Sequence, residues 1–229
     1  MVQSVKLSER LETVAGFIKN NASVIDVGTD HGLLPAFLAM KGSTNRIIAS
    51  DISIGSLGSA RRTAAKYGVA DKISFVEAQG LSGVREKEVD TIVIAGLGGE
   101  TIAGILRDAP WTHRSGVYMI LQPQTKVSVL CEFLRMAGYS LLSSKLALDA
   151  GKLYVVLLVT GGKSESVMEP ESELLKSLMD SGDPLLGLYL EELIEKARRK
   201  LDGIGDSGNQ EALKLALRLS GYIEMKEQL

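Results

Sequence analysis

Between residues 7 and 20, apolar side chains recur at 7, 11, 14, 15 and 18 with polar and charged positions between them, and that spacing predicts an amphipathic helix. After it, short apolar runs alternate with longer helical patterns. Strands are expected near 23–27, 46–50, 72–77, 90–95 and 117–121, and helices near 32–41, 53–67, 99–107 and 125–137. Strands and helices in alternation build a parallel sheet covered by helices. The next two runs differ, because "YSLLSSKLAL" (139–148) and "KLYVVLLVT" (152–160) are parted only by a short turn. They are expected to form an antiparallel hairpin at the far edge of the sheet.

The pattern changes at "TGGKSESVMEPESE" (160–173), which is polar and nearly devoid of core residues. A domain boundary is expected there, giving a core domain over 1–162 and a C-terminal domain over 163–229. In the second part Leu186, Leu190, Leu193, Ala197 and Ile204 keep a three-four spacing, "GIGDSGN" interrupts it, and Ala212, Ala216, Leu219 and Ile223 resume it. Two helices joined by a glycine turn make a helical hairpin or short coiled coil.

Bulk properties narrow the class. A chain of 229 residues suits one domain of about 150 residues plus a smaller module. The net charge of −2 gives no global attraction for nucleic acid or an anionic membrane, so a polyanionic partner needs a local basic patch. Cys131 is the single cysteine, the first residues lack the basic-then-apolar pattern of a secretory signal, and no apolar run approaches the ~20 residues of a membrane span. A cytoplasmic protein without a membrane partner is expected. His31, His113 and Cys131 stand at no recognised ligand spacing, and no metal is expected.

In an open parallel sheet ligands bind at the carboxyl ends of the strands, so the turns after the strands carry the chemistry. The first reads "DVGTDHG". Gly28 permits a tight turn, and the helix that follows offers free N–H groups and a positive dipole end to an anion. A dinucleotide fingerprint needs Gly-x-Gly-x-x-Gly, but Asp30 holds the second glycine slot. The turn better suits the methionine end of S-adenosylmethionine, with its carboxylate on the helix N-terminus and its ammonium on Asp26. The second turn, "SDIS", supplies Asp51 for two ribose hydroxyls. The third, "EAQGL", puts Ala78 and Gln79 where an adenine ring would lie. The fourth runs into Gly96, Gly98 and Gly99, where backbone comes close to a ligand. In the fifth, Gln122 and Gln124 flank Pro123 and place amides at the edge of the same cleft. Thr29, Ile52, Gly80 and Ala95 complete the cofactor set in these turns, and Gly99, Gln122 and Pro123 fall on the substrate side.

Asp30 has two readings: an N-cap carboxylate of the helix that begins near Gly32, or an orienting or acid/base group facing the acceptor. His31, beside it, is either a surface residue or its catalytic partner. Among the basic residues, Arg10 near the cleft and the tail cluster with Arg199 and Lys200 are the candidate phosphate contacts. Glu192 and Glu195 stand four residues before Lys196 and Arg199, so a solvated ion-paired face is the competing reading.

"LSERLETVA", "DVGTDHGLLP", "IAGLGGETI", "LQPQ" and "GKLYVVLLV", in this order and followed by a helical tail, resemble the bacterial tRNA (adenine-N1)-methyltransferases that act at tRNA position 22. The resemblance implies an α/β class: a Rossmann-like class I methyltransferase core, with a mostly parallel seven-stranded sheet and an antiparallel last strand. It also implies S-adenosylmethionine as cofactor, tRNA as partner, and a C-terminal helical hairpin that helps hold it. Such a protein would be a monomer or weak homodimer. Gly32 and Leu33 stand where that family usually has Ala and Tyr, Leu97 where it has Met, Gln79 where it has Asp or Asn, Gln124 where it has Asn, and Val155 where it has Glu. A methyltransferase of the same core acting on a small molecule or protein, and a non-catalytic nucleotide-binding scaffold, are the alternative readings.

Overall fold

The computed structural model describes residues 4–162, 168–204 and 210–229. The chain divides into two compact units, Met1–Ser181 and Gly182–Leu229.

The first unit is built on a seven-stranded sheet of β1 (Ser23–Val27), β2 (Arg46–Asp51), β3 (Ser74–Glu77), β4 (Thr91–Gly98), β5 (Tyr118–Thr125), β6 (Ser140–Asp149) and β7 (Lys152–Thr160), in the order β3-β2-β1-β4-β5-β7-β6. The first five strands are parallel; β7 runs antiparallel to both β5 and β6. Val24, Ile25, Ile92, Val93, Ile94, Ile120 and Leu121 are fully buried, as continuous apolar runs in a sheet covered on both faces should be. The helices are α1 (Glu9–Gly16), α2 (Leu33–Lys41), α3 (Ile54–Lys66), α4 (Gly99–Arg107), α5 (Val127–Met136) and α6 (Pro170–Asp180). The leading helix is shorter than its apolar pattern, but the pattern marks its buried face: Leu7, Val14, Ala15 and Ile18 are in the core and Leu11 packs against it.

Two strands run further than expected. The fourth continues through Gly96 to Gly98, and the fifth through Gln122-Pro123-Gln124 to Thr125, so the fourth and fifth "turns" are strand ends. A bulge on either side of Leu97 makes this possible. Proline belongs at such irregular positions because it has no N–H for the ladder.

The polar stretch expected to separate the domains contains residues 163–167, which lie outside the described residues. The helix that follows, α6, packs on β6 and α5 within the first unit, burying Leu174, Leu175 and Leu178. Its apolar positions begin just beyond the polar stretch, which is why composition hid it. The second unit holds α7 (Leu186–Ile204) and α8 (Gln210–Glu227), which pack together. Lys226 meets Glu191 at 2.7 Å and Lys200 meets Glu211 at 3.1 Å across the pair. The glycine turn expected between them falls largely on residues 205–209, outside the described residues.

Two glycines of α4 have opposite uses. A Cβ at Gly99 would press on the Lys126 carbonyl, whereas at Gly104 it would meet nothing within 4 Å. Gly99→Ala should destabilise the fold by about 2 kcal/mol or more, and Gly104→Ala should stabilise it by up to about 1 kcal/mol, both read from urea unfolding.

Candidate active site

The strand order reverses between β1 and β4, and a cleft of about 900 Å³ opens at their carboxyl ends. The loop after β1 forms its floor. Gly28 takes φ +73°, and the N–H groups of Gly28 and Thr29 both donate to the Ser50 carbonyl, at 2.8 and 3.0 Å. This pins the loop to β2. Thr29 Oγ1 donates to Asp26 Oδ2 at 2.7 Å, Asp30 follows at φ +49°, and Gly32 at φ +66° leads into α2. Gly32 admits no larger residue without movement, because its Cβ would lie 2.7 Å from that of Ala60 on α3.

Asp26 is only 6% exposed. Burial pushes its carboxyl up from 3.8 to about 6; the Thr29 hydrogen bond opposes this, Asp51 adds to it, and Arg10 opposes it. A desolvated carboxylate with one hydroxyl donor is a strong acceptor for an ammonium group. Asp51 is held ready in another way: the Ser53 N–H donates to Oδ1 at 2.8 Å and the Asp30 N–H to Oδ2 at 3.2 Å. Both oxygens keep a lone pair for a diol. Ile52, beside it, exposes 67% of its surface, and Ala78, Gln79 and Gly80 continue the same wall. An apolar side chain and an amide next to a carboxylate able to accept a diol have the chemistry to take a nucleoside.

Asp30 does not cap α2. Gly32 is the N-cap residue and no side chain among the described residues caps it; the left-handed backbone at Asp30 turns its carboxylate to solvent at the cleft mouth. His31 Nε2 lies 3.5 Å from Asp30 Oδ2, and both side chains are about two-thirds exposed. Such a pair contributes little to stability. The capping reading therefore fails on geometry, and Asp30 and His31 stand together on the cleft wall.

The structure brings Arg10, Asp26, Gly28, Thr29, Asp30, His31, Asp51, Ile52, Ala78, Gln79, Gly80, Ala95 and Gly96 into one cleft. The others sit elsewhere. Gln122 is fully buried, so it touches no ligand directly; its Oε1 accepts from Arg10 Nη1 at 2.6 Å and from the Gly96 N–H at 3.1 Å. Pro123 is buried beside it and its carbonyl accepts from Gln122 Nε2 at 2.9 Å. Of the three glycines, only Gly96 takes a positive φ and faces the cleft. Gly98 lies against Thr125 and Gly99 is kept small by the Lys126 backbone, and neither lines the cleft. In the second unit Arg199 meets Glu195 at 3.2 Å and Lys200 meets Glu211 at 3.1 Å, both exposed.

Sequence reasoning missed several members of the wall. Leu97, Thr101 and Ile105 follow from the strand's running on into α4. Asp149 had no local signal: it ends β6, and reaches the cleft only because the hairpin folds back through β7 onto β5. Its Oδ2 lies 3.9 Å from Arg10 Nε. Leu33 lines the cleft where an aromatic residue was expected from the resemblance. Among the described residues, no group of three His, Cys, Asp or Glu is placed to hold a metal ion, and no helix is long and apolar enough to cross a membrane.

Residues 7–157 match a methyltransferase domain family. The chain is 33% identical to the tRNA (adenine(22)-N(1))-methyltransferase of Bacillus subtilis over 168 residues, which is 73% of this chain and 71% of that protein. Among solved structures it resembles Streptococcus pneumoniae Sp1610 in complex with S-adenosyl-L-methionine (TM-score 0.82, 28% identity, 96% of this chain and 100% of that one). It also resembles M. capricolum TrmK in complex with the cofactor product S-adenosyl-homocysteine (TM-score 0.78, 26% identity, 96% of this chain and 98% of that one).

The Asp26 carboxyl is protonated at higher pH in the folded chain than in the unfolded one. Stability therefore falls as pH rises from about 4 to about 6, and the lost stability stays lost above that window. Asp26→Asn keeps an acceptor for the Thr29 hydroxyl and removes the buried charge. It should raise the unfolding free energy of the ligand-free protein by up to about 3 kcal/mol at pH 7.5, with the gain vanishing near pH 3.5; urea unfolding at the two pH values checks both.

Proposed function

The chain belongs to the family of tRNA (adenine(22)-N(1))-methyltransferases, and from that premise we propose that it transfers the methyl group of S-adenosylmethionine to N1 of the adenosine at position 22 of tRNA. The observation that carries the cofactor half is the pair of unlike carboxylates in one cleft: Asp26, desolvated and suited to an ammonium, and Asp51, oriented by two backbone N–H groups and suited to a diol. S-adenosylmethionine presents both groups, and when bound it supplies a methyl group on a sulfonium.

The residues of the chain then have separable tasks. Asp26, steadied by the Thr29 hydroxyl, accepts the ammonium; Asp51 accepts the ribose hydroxyls; Ile52, Ala78, Gln79 and Gly80 bed the adenine. Adenine N1 of the acceptor carries an in-plane lone pair, so no base is needed before the methyl is accepted. The acceptor ring gains positive charge as the N–C bond forms. Asp30, a carboxylate at the cleft mouth beside His31, stabilises that charge and orients the base, while close positioning supplies most of the acceleration. Arg10 offers a guanidinium to the acceptor strand. The 182–229 unit holds the tRNA body through the α7 cluster, with Arg199 and Lys200 exchanging their exposed carboxylate partners for phosphate. Exposed pairs of this kind are held by about 1 kcal/mol or less, so phosphate displaces them easily. The reaction takes place in the cytoplasm, where the substrate is, with the enzyme acting as a monomer or weak homodimer.

Incubation with unmodified tRNA and methyl-labelled S-adenosylmethionine, followed by digestion, should yield 1-methyladenosine from position 22, and a transcript with guanosine there should take no label. Label found only in protein or small molecules would instead favour a different acceptor, and bound cofactor with no transfer to any acceptor would favour a scaffold. Asp30→Asn should lower kcat by about 10- to 100-fold with little change in S-adenosylhomocysteine affinity, whereas Asp26→Asn should weaken that affinity by about tenfold or more. Equal loss of both in Asp30→Asn would remove its role at the acceptor. The Kd for tRNA should rise about tenfold or more between 50 and 200 mM salt; a salt-independent Kd would rule out the phosphate contacts.

A further inference from the structure

The register of β4 on β5 passes from Ala95–Gln122 directly to Leu97–Pro123, so Gly96 is the residue that the ladder skips. A bulged residue is left without a ladder partner, and Pro123 brings no N–H of its own. Gln122 repairs the gap. Its Oε1 accepts the Gly96 N–H at 3.1 Å and, on the same oxygen, the Arg10 Nη1–H at 2.6 Å. The other end of the amide donates to the Pro123 carbonyl at 2.9 Å. These partners fix the direction of the amide, because a flipped group would set its NH₂ against two donors and its oxygen against an acceptor.

Arg10 comes from α1 and Gly96 from β4, and both face the cleft. The other neighbours of the guanidinium hold it loosely: Asp149 at 3.9 Å and the Tyr154 ring centroid at 5.7 Å. A buried neutral amide has a further consequence. It orients the guanidinium without adding a second carboxylate to Asp149, which lies 3.9 Å away, so part of the positive charge stays available to the cleft.

We propose that Gln122 is a positioning residue of the methyl-transfer site: buried and out of reach of any ligand, it fixes the Arg10 guanidinium and the Gly96 backbone relative to each other and acts on the acceptor through Arg10. The inference rests on the acceptor reading above for what Arg10 holds, and on the cofactor site alone for how Arg10 is held. The two are separable because Arg10 is one of the groups that face Asp26, with the Thr29 hydroxyl from its own loop and Asp51 from β2.

The test is a double-mutant cycle of Arg10→Met, Gln122→Met and the pair, in the full-length chain, with two readouts. The first is kcat/KM for unmodified tRNA. Each single variant should lose about tenfold or more and the double variant no more than the worse single, since both remove one unit. The second is the pH midpoint of S-adenosylhomocysteine binding by calorimetry, which needs no acceptor. It should move upward in Arg10→Met, in the same direction in Gln122→Met, and no further in the double variant. Should Gln122→Met fail to fold, Gln122→Asn, too short to reach both donors, is read in the same assays with the same expectation. Additive losses in kcat/KM, or a midpoint unmoved in the Gln122 variant while its thermal stability falls, would make Gln122 a merely structural residue and overturn the inference. If the wild type binds S-adenosylhomocysteine but methylates no tRNA, the acceptor reading fails, and the midpoint shift alone decides the role of Gln122.

Discussion

Right-handed crossovers that leave a parallel sheet in opposite directions put their helices on opposite faces, and the two strands at the point of reversal cannot share a covering loop. Here those strands are β1 and β4. The chain leaves β1 toward β2 and leaves β4 toward β5, and the carboxyl ends between them stay open as a cleft. Everything that gives this protein its chemistry hangs on that opening. Asp26 enters it from the end of β1, Asp51 from β2, Gln79 from beyond β3 and Gly96 from β4, each delivered by the strand that carries it.

Within the opening, polar groups are prepared by opposite means. Asp26 is made receptive by removing its water, at a cost to the ligand-free fold, whereas Asp51 is made receptive by backbone donors that hold its oxygens in place. One carboxylate suits a cation and the other a pair of hydroxyls, although the side chains are chemically identical. Their environments differ because one lies at the core end of a central strand and the other at the rim of the next. The loop after β1 takes three positive-φ positions to keep this arrangement, two of them glycines, Gly28 and Gly32, and one not, Asp30. A non-glycine residue such as Asp30 held in the left-handed region costs energy and persists where surrounding contacts demand it.

The Arg10 side of the cleft is assembled from parts distant in sequence. Arg10, Gly96, Gln122 and Asp149 span most of the first unit, and they meet through one buried amide and one hairpin that folds back on the sheet. A site assembled this way is rigid where its polar groups are fully satisfied. The side chains of Asp30 and His31 at the mouth have no such buried ties: they are about two-thirds exposed and face each other at 3.5 Å.

Local chemistry determined a good deal by itself. The alternation of apolar runs and helical spacings fixed the strand sequence and the parallel sheet, because side-chain period is a property of neighbouring residues. The turn "DVGTDHG" likewise disclosed a carboxylate, a tight glycine turn and a helix start, and these lie together in the cleft. What the sequence could not decide was which polar residue faces a ligand and which is buried as support. Gln122 and Gln124 read alike in "LQPQ", yet one is sealed in the core and the other lines the cleft. A bulge, set by pairing between two strands, decides that difference. Asp149 entered the site by the same kind of long-range pairing, and Asp30 lost its capping role to a backbone angle that no local pattern encodes. Period and turn type are written between neighbours; burial, register and partnership depend on residues far along the chain.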